Sequence, residues 1–319
     1  MTRYIIRRIA SVIGVVWLMT VMVFGIVHLL PGSVAHMILG EFATADSIAL
    51  LEQRLGLNDP LPMQYWRWFS GLLRGDFGNS LTMERPAGPI LIEALGRSAI
   101  LAGISLVLVA IIGIALGVHS AVNRGSSSDR ALTLAQYAFI SIPEFFWCIV
   151  VILVFAAWLG WLPATGYTPL AEAGVLGWAR HLVLPVVTLT LGLIAHVSRM
   201  TRSSMLEALD SQYVLAARAK GLAERFVLYR HALPNALLPT ITVLAIDMGL
   251  LIGGIVVVET VFAFPGLGRM LIYAIDNQDL PLMMGGMIVV TSVYALANLA
   301  ADILYATLNP RIRYGGSAA

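Results

Sequence analysis

The chain has 319 residues, of which 59% are hydrophobic and 12% charged, with a formal net charge of +2 and a mean hydropathy of +0.85. Soluble domains carry about a quarter charged residues, so the composition excludes an ordinary globular protein and indicates an integral membrane one. The small net charge, with no basic patch interleaved with aromatics, gives no footing for a nucleic-acid partner.

In chain order, Arg3, Arg7 and Arg8 form a short basic head. The apolar run 9–30 is long enough to cross about 30 Å of hydrocarbon. A cleaved signal peptide ending near Ser33-Val-Ala35 is the competing reading, but the run exceeds the usual apolar length of such peptides. Residues 31–97 are mixed and polar and read as an extramembrane insertion. Within it 47–55 can form a helix, whereas the region of Pro60 and Pro62 is predicted to sustain none. Further spans are expected at 99–122, at 131–158 with a bend or interruption at Pro143, at 181–198, at 236–258 and at 282–304. Residues 123–130 read as a short loop, the stretch up to Arg180 as a polar connection, and 259–281 as a re-entrant or external loop. The expected fold is therefore all-α, with six transmembrane helices. Its parts are a head and first helix (1–30), the insertion (31–97) and a five-helix core (98–319). Gly249, Gly253 and Gly254 in the fifth span permit close helix approach.

Between the fourth and fifth spans lies a basic polar segment, 199–239, holding Arg199, Arg202, Arg218, Lys220, Arg225 and Arg230. It reads as two short helices meeting at a corner. Ser211 suits the N-cap of the first, and Gly221 suits the left-handed position beyond its end. The second is expected to start near Ala223 and to close at Pro234. An ordinary loop carrying two surface helices fits the spacing equally well.

Arginine and lysine in short loops set orientation. Arg3, Arg7, Arg8, Arg124, Arg130, the basic segment, Arg311 and Arg313 fall on one side; the two short loops on the other carry only Arg180 and Arg269, the long 31–97 stretch being left out because long loops carry little topological weight. Both termini and the basic segment are thus expected in the cytoplasm and the 31–97 insertion outside.

The lone lysine, Lys220, follows no glycine-rich phosphate loop, so ATP hydrolysis is not expected here. No H-E-x-x-H or G-x-S-x-G occurs, and the six histidines lack metal-ligand spacing. Cys148 stands alone in an apolar run and can make no internal disulfide. Among ionisable groups in or beside spans, Glu144, Asp247, Glu259 and Asp302 stand out, because charge is expensive in lipid. Glu144 and Asp247 are pathway candidates, although a carboxylate bonded between helices is the plainer reading.

Ala216-Ala217-x3-Gly221-x9-His231-x-Leu233-Pro234 resembles the EAA motif of bacterial ABC-importer permeases, E-A-A-x3-G-x9-I-x-L-P, with Leu215 for Glu and His231 for Ile. Further matches run along the chain: Leu30-Pro31-Gly32, Leu55-Gly-Leu-x-x-Pro60-Leu, Gly75-Asp-Phe-Gly-x-Ser80, Ser141-Ile-Pro143, Thr201-Arg202-Ser203-Ser204-Met205, Glu259-Thr-Val-Phe262-x-x-Pro265-Gly266-x-Gly268-Arg269 and Pro310-Arg311-Ile-Arg313. Together they resemble the first, B-type, permease of dipeptide/oligopeptide/nickel ABC importers. That resemblance implies a bacterial inner-membrane subunit working with a C-type permease, two ATPase subunits that bind ATP and Mg, and an external solute-binding protein, with no cofactor on this chain itself. It implies ATPase coupling through Tyr213, Leu215, Ala216, Ala217, Lys220, Gly221, His231, Leu233 and Pro234. It implies an outer gate or binding-protein contact at Glu259, Phe262, Pro265, Gly266 and Gly268. Short peptides are the expected cargo, with nickel or a metal chelate as the alternative. An ion-coupled carrier or a membrane scaffold is the reading of a different class.

Overall fold

The computed structural model describes residues 2–29, 44–55 and 58–308. The sequence readings at Leu30-Pro31-Gly32, Ser33–Ala35, Gly56-Leu57 and the 309–313 tail lie outside the described residues. In order, the helices are α1 (Thr2–Leu29), α2 (Ala45–Leu55), α3 (Leu61–Leu73), α4 (Ala87–Val122) and α5 (Ser127–Ser141). Next come α6 (Glu144–Val151), which runs on as a π-helical stretch (Ile152–Trp158), then α7 (Leu170–Leu209) and α8 (Gln212–Ala219). The chain finishes with α9 (Glu224–Phe226), its π continuation (Val227–Ala232), α10 (Leu233–Val261), α11 (Leu267–Asp276) and α12 (Leu280–Leu308). Among the described residues the nearest thing to a strand is an isolated bridge between Asn79 and Pro86.

Five helical stretches are long and apolar enough to cross a bilayer: Ile5–Leu29, Ala87–Val122, Leu170–Leu209, Glu224–Val261 and Leu280–Leu304. The pair α5–α6, bent by 108°, can make a sixth. The bend falls at the sequence-expected Pro143, which is the N-cap of α6 and leaves Ile142 extended. A residue before proline is pushed out of the helical region, so the break has a local cause.

Several expectations need correction. Residues 61–73 are helical despite Pro60 and Pro62, because Pro60 is the N-cap and Pro62 lies in the first turn, where the missing N–H has no intrahelical partner to lose. The polar stretch before Arg180 is helical from Leu170, interrupted only at Gly174, whose φ of 63° breaks the ladder. Pro234 does not close the second short helix. The N–H of Leu233 reaches Leu228, five residues back, so Pro234 stands where the ladder passes from π to α register, and the helix runs on to Val261. Helix α4 also begins at Ala87, inside the stretch read as insertion.

The chain divides into two compact units, Ser98–Pro265 with the chain ends, and Ile6–Arg97 with Gly266–Ala295. In the first, Leu101, Cys148, Leu184, Val258, Phe262 and Phe264 belong to one buried cluster. A second cluster, with Met205, Val214, Ala217, Val227 and Ala232, lies under the basic segment. Helices α4 and α7 meet through Gly113 and Gly117. A Cβ on Gly113 would come within 2.8 Å of Val197, and one on Gly117 within 2.5 Å of Thr201 and 2.6 Å of the Ser198 carbonyl. This Gly-x-x-x-Gly spacing lets two backbones touch without side chains between them.

In the other unit, Tyr65 meets Thr20 at 2.8 Å and Gln64 meets His28 at 3.1 Å, which fixes α3 on α1. Asp279 is wholly buried and gathers the hydroxyls of Ser80 (2.5 Å) and Thr82 (2.8 Å) and the amides of Thr82 (3.1 Å) and Leu282 (3.3 Å).

Candidate functional site

Two extended polar features stand out in the unit built on Ser98–Pro265. One is a cavity of about 530 Å³ bordered by α5, α6, α7 and α10. Helices α7 and α10 run antiparallel: Thr201 meets Thr240 at 3.2 Å and His196 meets Asp247 at 2.9 Å, so positions fall on one helix as they rise on the other. On α7 the cavity wall is the stripe Thr188, Gly192, His196 and Arg199, spaced by helical turns. From the bend, Glu144 and Trp147 add a carboxylate and an indole.

Glycine decides where Glu144 sits. A Cβ on Gly254 would lie 2.5 Å from Glu144 Oε2, so the carboxylate rests on a bare patch of α10 backbone. Asp247 has no exposed surface; it accepts from His196 Nδ1 with Oδ1, while Oδ2 is buried without a partner among the described residues. Trp147 Nε1 is likewise buried and unbonded. Of the two pathway candidates, then, Glu144 lines the cavity, and Asp247 lies behind His196, which does. His196, Trp147 and Arg199 are additions. The signal was available in the i, i+4, i+7 spacing of Gly192, His196 and Arg199, which puts two cationic or titratable side chains on one face of a span.

The second feature is the basic hairpin. Val214 and Ala217 turn inward onto Met205 and Val227, and Tyr213, Leu215, Ala216 and Lys220 turn outward. Ser211 occupies the N-cap position but does not cap: its hydroxyl donates to the Ala208 carbonyl instead. The end of α8 is a Schellman turn, with Leu222 N–H on Ala217 (3.4 Å), Gly221 N–H on Arg218 (2.9 Å) and Gly221 at φ 77°. Arg218 donates to Glu224 at 2.6 Å across the corner. Tyr213, Leu215, Leu222, Phe226 and Tyr229 are each more than a third exposed, an apolar set unusual on a segment this basic. His231 packs edge-on to Phe226, Leu233 joins the cluster beneath, and Pro234 is exposed.

At the far end of α10, Glu259 is fully buried and accepts from Ser98 Oγ at 2.5 Å. Phe262 is buried beside Phe264, and its carbonyl accepts from Gly166 N–H at 2.8 Å. The chain turns just before Pro265-Gly266. Phe264 N–H returns to Glu259 at 2.8 Å, and Ala263 takes the left-handed position at φ 52°. Gly266, at φ −94° and ψ −175°, is merely the extended N-cap of α11, and Gly268 is buried within that helix. Among the described residues no group of three or more His, Cys, Asp or Glu side chains could hold a metal ion.

Asp129 was hidden in the sequence by an apparent loop. It is buried and accepts from two nitrogens of the Arg202 guanidinium, at 2.8 and 2.9 Å, together with the Ser120 hydroxyl and the Gly125 amide.

Long apolar helices, a broken span beside a polar cavity and a capped basic hairpin define a polytopic membrane transport protein. Residues 112–314 match the family described as "Binding-protein-dependent transport system inner membrane component", and residues 1–91 match its N-terminal companion. The chain is 39% identical over 311 residues to "Probable peptide ABC transporter permease protein y4tP" of Sinorhizobium fredii, covering 98% of this chain and 99% of that one. It is 38% identical over 315 residues to "Glutathione transport system permease protein GsiC" of Salmonella paratyphi A, covering 98% and 100%. The fold is that of the solved "Inward facing conformations of the MetNI methionine ABC transporter", with a TM-score of 0.57 at 21% identity, over 69% of this chain and 96% of that one. The chain belongs to the binding-protein-dependent transport system inner-membrane family. It is a multi-pass inner-membrane permease subunit of an ABC importer, and the family is non-catalytic.

Proposed function

We infer that this permease forms half of a conduit for short peptides, working with a C-type permease, two ATPases that bind ATP and Mg, and an external solute-binding protein. The relatives' names, peptide and glutathione, support that cargo. Six spans cross the membrane, α5–α6 counting as one, with both termini and the hairpin in the cytoplasm and the 31–97 insertion outside. The arginine and lysine distribution supports this orientation. The 98–319 core carries the conduit, with the hairpin inside 199–239 as its coupling element.

The single observation that carries the coupling role is the hairpin's split surface. Val214, Ala217 and Val227 anchor it, while Tyr213, Leu215, Leu222, Phe226 and Tyr229 stay out of the core. Those side chains would seat in an ATPase groove, with Ala216 allowing close approach and Lys220, Gly221, His231, Leu233 and Pro234 holding the corner. Closure of the ATPase pair then moves a stiff element, which a loose loop would not transmit. Switching requires that the ATPases bind one conformation of the permease more tightly than the other. Glu259, Phe262, Pro265, Gly266 and Gly268 serve the outer gate or the binding-protein contact.

The test is reconstitution. ATPase subunits should co-purify with this chain, and vesicles holding the whole importer should accumulate tri-alanine only with ATP and binding protein. Uptake by this chain alone under an ion gradient would replace the reading with a secondary carrier. Accumulation of nickel instead of tri-alanine would replace the cargo only.

A further inference from the structure

The polar groups around the cavity are spaced as a pair of poles. At one end Glu144 lies against Gly254. Among the described residues nothing donates a hydrogen bond to its carboxylate. At the other end of the same wall is Arg199, exposed and without an ion pair among the described residues. The antiparallel register set by Thr201–Thr240 and His196–Asp247 places Gly254 beside the Thr188–Gly192 turn of α7. Glu144 and Arg199 are therefore separated by about ten residues of α7, about 15 Å at 1.5 Å per residue. The same cavity is bordered by two groups with unspent bonding capacity: the buried indole N–H of Trp147, and His196, whose Nδ1 is committed to Asp247 so that only Nε2 remains for a ligand.

Buried donors without partners are rare, and an unpaired indole N–H on a residue that borders the cavity is open to an acceptor that arrives from outside. Among the described residues no acceptor meets it, and Phe139 supplies a ring edge-on to Trp147 at 5.3 Å. A negative pole, a central donor and a positive pole about 15 Å apart match an extended chain with a free ammonium at one end and a free carboxylate at the other. At 3.3–3.6 Å per residue that is a peptide of about three to five residues.

We propose that this cavity is a peptide subsite of the permease itself. Glu144 holds the α-ammonium, Trp147 Nε1–H donates to a backbone carbonyl, and Arg199 meets the C-terminal carboxylate as a two-pronged donor. Gly254 is the positioning residue that leaves room for the Glu144 carboxylate. The proposal rests on the peptide reading above. It adds that recognition of free chain ends is shared by the conduit and does not belong to the binding protein alone. With the hairpin in the cytoplasm, Arg199 marks the inner end, so the carboxylate leads.

The test is binding to the purified importer in nanodiscs, without binding protein, using radiolabelled tri-alanine, tetra-alanine, their N-acetyl forms and their C-terminal amides. The wild type should bind a free peptide at least tenfold more tightly than its N-acetyl or amide form. Glu144→Gln should erase the N-acetyl difference alone and Arg199→Gln the amide difference alone, and Glu144→Asp should restore part of the first. Gly254→Ala should behave as Glu144→Gln does. Assembly of each variant is checked by retention of the ATPase subunits. Absence of saturable binding to the wild type, equal affinity for blocked and free peptides, or variants that leave the preferences intact would overturn the proposal. ATP-driven uptake by the wild-type importer, measured in parallel, separates this failure from failure of the functional reading: uptake without such binding sinks only the subsite.

Discussion

Arg202 grips Asp129 with two parallel hydrogen bonds, Nε at 2.8 Å and a terminal nitrogen at 2.9 Å, and so ties the start of the broken span to the C-terminal part of α7. In the sequence Arg202 is one cation among several in a basic segment; in the fold it is a fixed strut.

Losing one partner strands the other. Asp129→Asn should lower stability by about 2 kcal/mol, the scale of a buried hydrogen bond to a charged group. Arg202→Lys should lose nearly as much, because an ammonium cannot make the planar two-pronged contact. Thermal unfolding of the purified subunit in detergent measures both. Arg202→Lys at wild-type stability would show that the fork geometry is idle.

Among the described residues the helix ends at Gly75 and Gly221 place a glycine at positive φ just beyond the C-cap, whereas those at Ala263 and Gln278 place a residue with a side chain there. Gly221 has φ 77°, whereas Ala263 and Gln278 have φ 52° and 53°. Nothing lies within 4 Å of a Cβ built on Gly221, so the cost of a side chain there is conformational, about 1–2 kcal/mol for an ordinary residue and more for a β-branched one. Gly221→Val should leave the permease inserted and assembled but cut ATP-driven uptake at least tenfold, because the corner would open. Wild-type uptake by this variant in vesicles would remove the corner from the mechanism. Conversely, Ala263→Gly should be neutral or stabilising by up to about 1 kcal/mol in the same unfolding assay.

Asp279 supplies a pH test. Burial would raise its carboxyl pKa, but the bonds from Ser80, Thr82 and Leu282 outweigh it and hold the group below the usual carboxylate range. A lowered folded pKa favours the folded state fully above the unfolded value of about 3.9, and that contribution fades as pH falls through the folded value. The stability gap between wild type and Asp279→Asn should therefore be widest near neutrality and shrink below about pH 4. A gap that stays constant from pH 7 to pH 3 would contradict the assignment.

Close packing at Gly117 is equally direct. An alanine Cβ there would meet Thr201 Cβ at 2.5 Å and the Ser198 carbonyl at 2.6 Å. Backbone cannot swing aside as a flexible side chain can, so Gly117→Ala should lower stability by about 1–3 kcal/mol. Gly253→Ala, with open space around its Cβ, should change little. Equal effects of the two in thermal unfolding would refute the α4–α7 contact.

Apolar run length and proline placement carried the spans and the bend at Pro143, because both act locally. Spacing alone also marked the left-handed corner at Gly221. Pro62 and Pro234 misled for a shared reason: proline breaks a helix where it removes an N–H bond and crowds the carbonyl one turn back, and the first turn and a π-to-α junction relieve that conflict. The cavity was half legible. Glu144 and Asp247 stood out as charges in apolar runs, but His196 acquires its meaning only from Asp247, fifty-one positions away. Asp129, within eight residues of three serines and two arginines, resembled a solvated loop residue until Arg202 came beside it.

The central claim is that force from another polypeptide enters through the hairpin, and its most direct measurement is the sidedness of that hairpin. Cys148 has no exposed surface, so a Tyr213→Cys variant offers one accessible thiol. A membrane-impermeant maleimide should leave it unlabelled in intact cells, label it in inverted vesicles, and label it far more slowly there once the ATPase subunits are bound. Labelling from outside intact cells, or no protection by the ATPases, would contradict the account.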